Sequence, residues 1–361
     1  MEVAFAVTPC LTIGVTGTAG KSTVCSLLKA IIEASGRSAF FSGNDRDNRW
    51  DLFALEKLPK EGIALFEISH RHLMDLSVSP NISVITNIYP HHLDDAGSLD
   101  NYVAIKKNIF RFQTADDAVV VNSELVSSGL IFDEDAPGWM FLFGGEGSDC
   151  SVRDGNISIS VEGKEESVIP VSSLPLKGNH NLLNSEAAVM AAFSAGIPIG
   201  NIREGIIKWK PLKYRMEKIE NTGSIEVWND GKSSDPLATI EAVKSIQGIK
   251  ALIMGGVREG GHKGDFGELA KEIAFRGVER VFIYGKSRDL IKTDLLGAMD
   301  GKRIIECVDL RDAISRAASF MEKKGKMLFS PACQSFDGFK DYRARAEFFN
   351  DNLRSIFERG K

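Results

Sequence analysis

Between Gly14 and Thr23 the chain reads Gly-Val-Thr-Gly-Thr-Ala-Gly-Lys-Ser-Thr, a run of small residues closed by Lys21 and the hydroxyls of Ser22 and Thr23. Such a run can wrap phosphate. Small residues let backbone N–H groups close on phosphate oxygens, a following helix adds the positive end of its dipole, and a lysine reaches the terminal phosphates. Gly17, Thr18 and Gly20 form the bend of this cradle, and Ser22 or Thr23 is suited to hold Mg²⁺. Val15 stands where a first glycine is usual, so the match is to a shorter GxxGKST form of the phosphate loop. The loop alone leaves a kinase, a GTPase, a transporter ATPase and a ligase open.

Other residues able to do chemistry follow in order. Glu67 closes the apolar run IALFE, where a carboxylate can reach the mouth of a sheet; by itself it also fits a solvated strand end. His92 lies in Thr86-Asn87-Ile88-Tyr89-Pro90-His91-His92-Leu93-Asp94, and taken alone reads as a packing or surface histidine. Lys106 follows Asn101-Tyr102-Val103-Ala104-Ile105 and has Lys107 beside it, so alone it reads as a surface helix lysine. Asn181 and Asn184, three apart, share one helix face. The second half offers Tyr214-Arg215-Met216-Glu217, Asn229-Asp230-Gly231-Lys232-Ser233-Ser234, and a run from Ser330 through Ser335 to Tyr342.

These residues need elements to hold them. LTIGVT at Leu11–Thr16 predicts a strand, and Val24, Leu27, Leu28, Ile31 and Ile32 recur at helical spacing after Lys21. Apolar runs at 63–67, 82–86 and 118–121 predict further strands of a buried parallel sheet. Short alternating pieces between about 138 and 171 predict antiparallel hairpins decorating that sheet, and a helix begins near Asn181. After Trp209-Lys210-Pro211 the strand and helix rhythm restarts, with strands at 225–229, 251–254, 281–284, 304–308 and 327–330. The fold class is therefore α/β. A P-loop ATPase domain over 1–210, with a parallel central sheet plus a small antiparallel sheet, precedes a Rossmann-like doubly wound domain over 211–361.

Composition narrows the function classes. At roughly 150 residues per domain, 361 residues allow two or three domains. With 44 Lys+Arg against 49 Asp+Glu the formal charge is −5, which disfavours nucleic-acid binding by bulk charge. The five cysteines form no CxxC pair, so a disulfide framework or zinc ribbon is not suggested and a reducing, cytoplasmic compartment is expected. The uncharged stretch Val3 to Gly20 holds Pro9, three glycines and four threonines, and reads as strand and loop rather than a membrane anchor.

Taken together from about residue 11 to the C-terminus, these motifs resemble the Mur ligase family. The resemblance implies a central ATP-binding domain followed by a C-terminal domain, and a reaction in which ATP phosphorylates a substrate carboxylate before an amine attacks the acyl phosphate. It implies ATP and up to two Mg²⁺ ions, with Ser22 or Thr23 on one ion and Glu67 and His92 on another. Lys106 matches the family lysine that carries a carbamate, an anion on a long arm able to hold Mg²⁺. Lys21 and Arg215 would offset phosphate charge, Asn181 and Asn184 would read adenine, and Asp230 would bind the ribose. Lys232, Ser234, Ser335 and Tyr342 fall around the incoming amino acid, with glutamate the expected amine. ATP would then lie between the two domains, and closure would be needed for reaction.

Departures gather on the acid-substrate side. Asn44-Asp45 replaces a GNIG-like turn, and Glu67-Ile68-Ser69-His70-Arg71-His72 replaces an ESSFQ-like run. Asn44, Ser69, His70 and Arg71 are accordingly the candidate acid-substrate residues. Ala19, His91 and Tyr214 replace the usual Asn, Asp and His, and the glycine-rich stretch 255–263 offers both Arg258 and Lys263 for one family lysine. The phosphate loop begins within the first twenty residues, where family members carry a further domain that grips UDP. Either a nucleotide precursor is held differently, or the substrate is another polycarboxylate handled by a ligase or an intramolecular cyclase. An ATP-binding regulatory module without ligation is the remaining alternative.

Overall fold

The structure, a computed structural model, describes all residues except 44–50, 90–96, 177, 221, 260, 262–263, 322–323 and 360–361. The chain divides into two compact units, Met1–Pro211 and Leu212–Lys361. Each contains one sheet with helices on both faces.

Among its described residues the first unit has nine strands: β1 (Leu11–Thr16), β2 (Ala39–Ser42), β3 (Ile63–Glu67), β4 (Ile82–Ile85), β5 (Ala118–Asn122), β6 (Trp139–Phe143), β7 (Cys150–Arg153), β8 (Asn156–Val161) and β9 (Lys164–Pro170). They lie in the order β2-β3-β1-β4-β5-β6-β7-β8-β9. Strands β3, β4 and β5 are buried along their whole length, which explains why their sequences are unbroken apolar runs rather than alternating ones. The parallel pairing extends to β7, which joins β6 at the Phe143–Cys150 pair, and β7, β8 and β9 then pair antiparallel.

The helix Lys21–Ala34 turns Val24, Leu27, Leu28, Ile31 and Ile32 into the core. It meets the helix Ile199–Lys208 at Gly205, where any Cβ would collide with the backbone of Ile31. A glycine there lets two helix axes approach closely.

The second unit holds β10 (Glu217–Ile219), β11 (Ile225–Asn229), β12 (Ile249–Gly255), β13 (Arg280–Tyr284), β14 (Ile304–Glu306) and β15 (Gly325–Phe329), ordered β10-β11-β15-β12-β13-β14. Only β10 is antiparallel to its neighbour. The strand order reverses beside β15, and in such sheets the crevice outside the strand ends at that point is where ligands bind. Among the described residues, no helix is long and apolar enough to cross a membrane.

Candidate active site

In the first unit, β1 ends at Thr16 and four residues separate it from the helix Lys21–Ala34. Gly20 makes the turn in the left-handed region, φ 86°, and Gly17 adopts φ 150°. A side chain is barred at either glycine, because a Cβ at Gly17 would meet Thr86 Oγ1 and one at Gly20 would meet Asn184 Oδ1. The loop is braced from the strand β4 side. Thr86 Oγ1 donates to Ala19 O (2.6 Å), Asn87 O accepts from Thr18 N (2.9 Å), and Asn87 Oδ1 accepts from Ala19 N (2.8 Å). Thr86 and Asn87 thus hold the cradle in shape, a role the sequence did not reveal because their partners lie about seventy residues away.

Two amines converge on one carbonyl. Lys21 Nζ donates to Gly17 O (2.8 Å) and Thr18 O (3.1 Å), and Lys106 Nζ donates to the same Gly17 O (3.2 Å) and to Thr16 Oγ1 (3.4 Å). Lys106 is 1% exposed, so burial, helped by the positive Lys21, lowers its pKa to about 7. Its neighbour Lys107 instead reaches outward to Asp135 at 2.6 Å. The helix Leu99–Lys107, started by Ser98 Oγ accepting from Asn101 N, creates this contrast by turning adjacent residues to different sides.

Tyr102 supports Lys106 from below. Its ring lies 4.7 Å from Lys106 Nζ, its hydroxyl is 3.4 Å from Thr18 Oγ1, and the His70 ring stands 5.9 Å away. Tyr102 was not singled out from sequence; its place one helical turn before Lys106 is the signal that marks it. Glu67, 7% exposed, ends β3 directly beside Val15 of β1 and so reaches the loop's side of the sheet.

Thr23 is buried at the start of the helix, with Ser22 before it. The hydroxyls of Ser22 and Thr23 together with the Glu67 carboxylate are hard oxygen donors of the kind Mg²⁺ accepts alongside phosphate and water. Among the described residues no cluster of three or more His, Cys, Asp and Glu is present. His92 and Asn44, both singled out from sequence, lie outside the described residues, as does Lys263.

Asn181 and Asn184 are buried on the helix Asn179–Ser194, and Asn184 packs directly on Gly20. Ser69 caps the helix His70–Leu73, its Oγ accepting from His72 N at 3.4 Å. The basic run after it diverges: His70 turns inward beside Tyr102 while Arg71 is exposed. Burial lowers the pKa of the half-buried His72.

In the second unit, Asp230 follows β11 and is 5% exposed. Its Oδ1 accepts from Met216 N (3.2 Å), and its Oδ2 accepts from Ser330 Oγ (2.8 Å) and Ser233 Oγ. Burial raises its pKa to about 6 against the pull of these hydrogen bonds. Arg215 is half-buried between Tyr214 (φ 63°) and Met216 (φ 50°), two non-glycine residues in the left-handed region. Tyr214 Oη donates to Glu347 at 3.1 Å, and burial, together with that carboxylate, pushes the phenol up to about 12. Lys232 Nζ sits 3.9 Å over the Tyr342 ring, a cation–π contact. Ser335 is buried in the loop after β15, Ser234 is exposed, and Arg258 is paired with Asp265 at 2.8 Å.

Comparison with known proteins puts this geometry in context. Residues 15–192 match the model of the Mur ligase middle domain. The UDP-N-acetylmuramoylalanine–D-glutamate ligase of Acidobacterium capsulatum is 31% identical over 356 residues, covering 94% of this chain and 73% of that protein. Its counterpart from Hydrogenobaculum sp. is 32% identical, covering 96% of this chain and 78% of that protein. Among solved structures, MurF of Acinetobacter baumannii matches with a TM-score of 0.75 at 19% identity, covering 98% of this chain and 78% of that one. The MurF ligase of Thermotoga maritima in complex with ADP matches with a TM-score of 0.72 at 18% identity, covering 100% of this chain and 84% of that one. At those identities the structures speak for the fold, whereas the sequence relatives carry kinship along nearly the whole chain: it belongs to the Mur ligase family.

Proposed function

We propose that the chain is an ATP-dependent ligase of peptidoglycan precursor synthesis that activates a carboxylate as an acyl phosphate and joins it to D-glutamate. The observation that carries this reading is the convergence of Lys21 and Lys106 on Gly17 O inside a braced phosphate loop. Phosphoryl transfer onto a carboxylate crowds anionic oxygens together, and a fixed cation there stabilises the charge that develops. The first unit is read as the ATP-binding domain and the second as the domain that receives the amine. The same reading assigns the enzyme to the cytoplasm.

Within it, the loop N–H groups and Lys21 bind the phosphates, Arg215 adds charge, Asn181 and Asn184 read adenine, and Asp230 takes the ribose. The acid's carboxylate oxygen forms a bond to the terminal phosphorus as the bond to ADP breaks. The amine then forms the amide as phosphate departs with that oxygen. Ser22 or Thr23, Glu67 and His92 would hold Mg²⁺, which supplies charge to the transferring group. Lys106, with a pKa near neutrality, has a neutral amine available to combine with CO₂, releasing one proton and leaving a carbamate. Asn44, Ser69, His70 and Arg71 are assigned to the acid, and Lys232, Ser234, Ser335 and Tyr342 to the amino acid.

Phosphate release is measured with ATP and Mg²⁺, with D-glutamate and UDP-N-acetylmuramoyl-L-alanine each present or omitted. Release that requires both is expected, and Lys106→Ala is expected to abolish it, with recovery on adding a short carboxylate. Binding of ATP without release under any of these conditions would contradict the proposed substrates and direct the search to other polycarboxylates.

A further inference from the structure

Arg345 is the largest fully buried side chain among the described residues, at 0% exposure, and lies on the helix Tyr342–Arg359 one turn after Tyr342. A buried guanidinium is costly unless its donors are met. Its Nη1 donates to Cys333 O (2.9 Å) and its Nη2 to Gly231 O (3.2 Å). Gly231 immediately precedes Lys232, and Cys333 lies two residues before Ser335. One planar fork therefore spans three segments: the loop with Lys232, the loop with Ser335 and the helix with Tyr342.

A second set of contacts fixes the same spacing. Asn229 Nδ2 donates to Ala346 O (2.9 Å) and Asn350 Oδ1 (2.8 Å), while its Oδ1 accepts from Gly231 N (2.9 Å). No space is left between loop and helix, since a Cβ at Gly231 would stand 2.7 Å from Ala346 Cβ. Behind the fork, Asp337 Oδ1 is buried without a hydrogen-bond partner among the described residues, and Tyr284 Oη is buried beside the guanidinium. Asp337 supplies the negative charge nearby, and both it and Arg345 act on the Tyr284 phenol, which burial pushes far up. The 3.9 Å approach of Lys232 to the Tyr342 ring spans the same loop and helix that Arg345 bridges.

We propose that Arg345 is the positioning residue of the amine pocket, holding Lys232, Ser335 and Tyr342 at the spacing that receives the amino acid's carboxylates. The inference rests on the ligase reading above for what the pocket binds, while the clamp itself stands on contacts within the second unit. Lysine cannot replace it, because a single ammonium lacks the planar fork that reaches two carbonyls at once.

The test uses the full chain carrying Arg345→Met, which keeps most of the volume, Arg345→Lys, and Gly231→Ala, which pushes the loop from the opposite side. Folding is checked by circular dichroism and melting temperature. In the folded variants the KM for the amine is expected to rise tenfold or more, while the KM for the acid and the kcat at saturating amine stay within threefold. A folded variant with unchanged amine KM overturns the proposal, as does an equal loss in all three parameters.

If Arg345→Met does not fold, Gly231→Ala decides by the same criterion. Absence of turnover in the unaltered chain would contradict the ligase reading instead. The clamp is then judged by amide hydrogen exchange. Faster exchange at Lys232 and Gln334 in a folded variant supports it, and unchanged exchange overturns it.

Discussion

The two units bury ionisable groups by opposite means. In the first, Lys106 (1% exposed) makes two long hydrogen bonds and Glu186 (2% exposed) has an Oε2 without any partner among the described residues. Burial moves both to a pKa of about 7, one from above and the other from below. In the second unit Asp230 accepts from three donors and Arg345 spans two carbonyls. The first arrangement leaves charge adjustable near neutral pH, which suits the carbamate role proposed for Lys106. The second holds its groups in place through several hydrogen bonds each, three to Asp230 and two from Arg345, which suits a surface that binds.

The sharpest way to break this contrast is to remove the fixed cation of the phosphate loop. Lys21→Ala should lower kcat/KM by about 10³-fold, with the fold retained by circular dichroism. Next is the adjustable lysine. Below a pH of about 7 Lys106 becomes a protonated ammonium that cannot attack CO₂, so turnover at fixed bicarbonate should fall as pH drops through that value. The inflection should vanish in Lys106→Ala assayed with an added short carboxylate.

Glu186 tests the same idea through stability. Its folded pKa of about 7 lies above the unfolded 4.5, so the folded state binds the extra proton and stability declines as pH rises between those values. Glu186→Gln removes that dependence and should stabilise the protein by about 2–3 kcal/mol at pH 8, with little change near pH 4, as read by denaturant unfolding. In the second unit, Asp230→Asn exchanges an acceptor of three hydrogen bonds for an amide and should raise the KM for ATP by roughly tenfold, about 1.4 kcal/mol. The smallest effect is expected beside the adjustable lysine. Lys107→Ala loses a partly exposed pair with Asp135 and a 5.7 Å approach to the Phe132 ring, so it should cost at most about 1 kcal/mol of stability and leave turnover unchanged.

Local signals in the sequence reached far into this molecule. The strands β1, β3, β4 and β5 are legible because burial on both faces demands continuous apolar runs, and the phosphate loop because its glycines sit between such a strand and an amphipathic helix. Less legible was anything decided by distant contacts. Lys106 and Lys107 are indistinguishable as neighbouring lysines, and only the orientation of their helix separates a buried amine from a surface ion pair. Thr86, Asn87, Tyr102 and Arg345 brace the two sites through partners far along the chain or through backbone carbonyls, which no local pattern encodes. In the run His70-Arg71-His72, adjacent residues likewise point to different surroundings.

The central claim is that a substrate carboxylate is activated by phosphorylation. It is tested most directly by labelling the alanyl carboxylate of UDP-N-acetylmuramoyl-L-alanine with ¹⁸O and analysing the phosphate released with ATP, Mg²⁺ and D-glutamate by mass spectrometry. An acyl phosphate carries one carboxylate oxygen away with the phosphorus, so each phosphate released should contain one labelled oxygen per doubly labelled carboxylate. Phosphate released without label would show that its oxygen came from water, and would contradict the account.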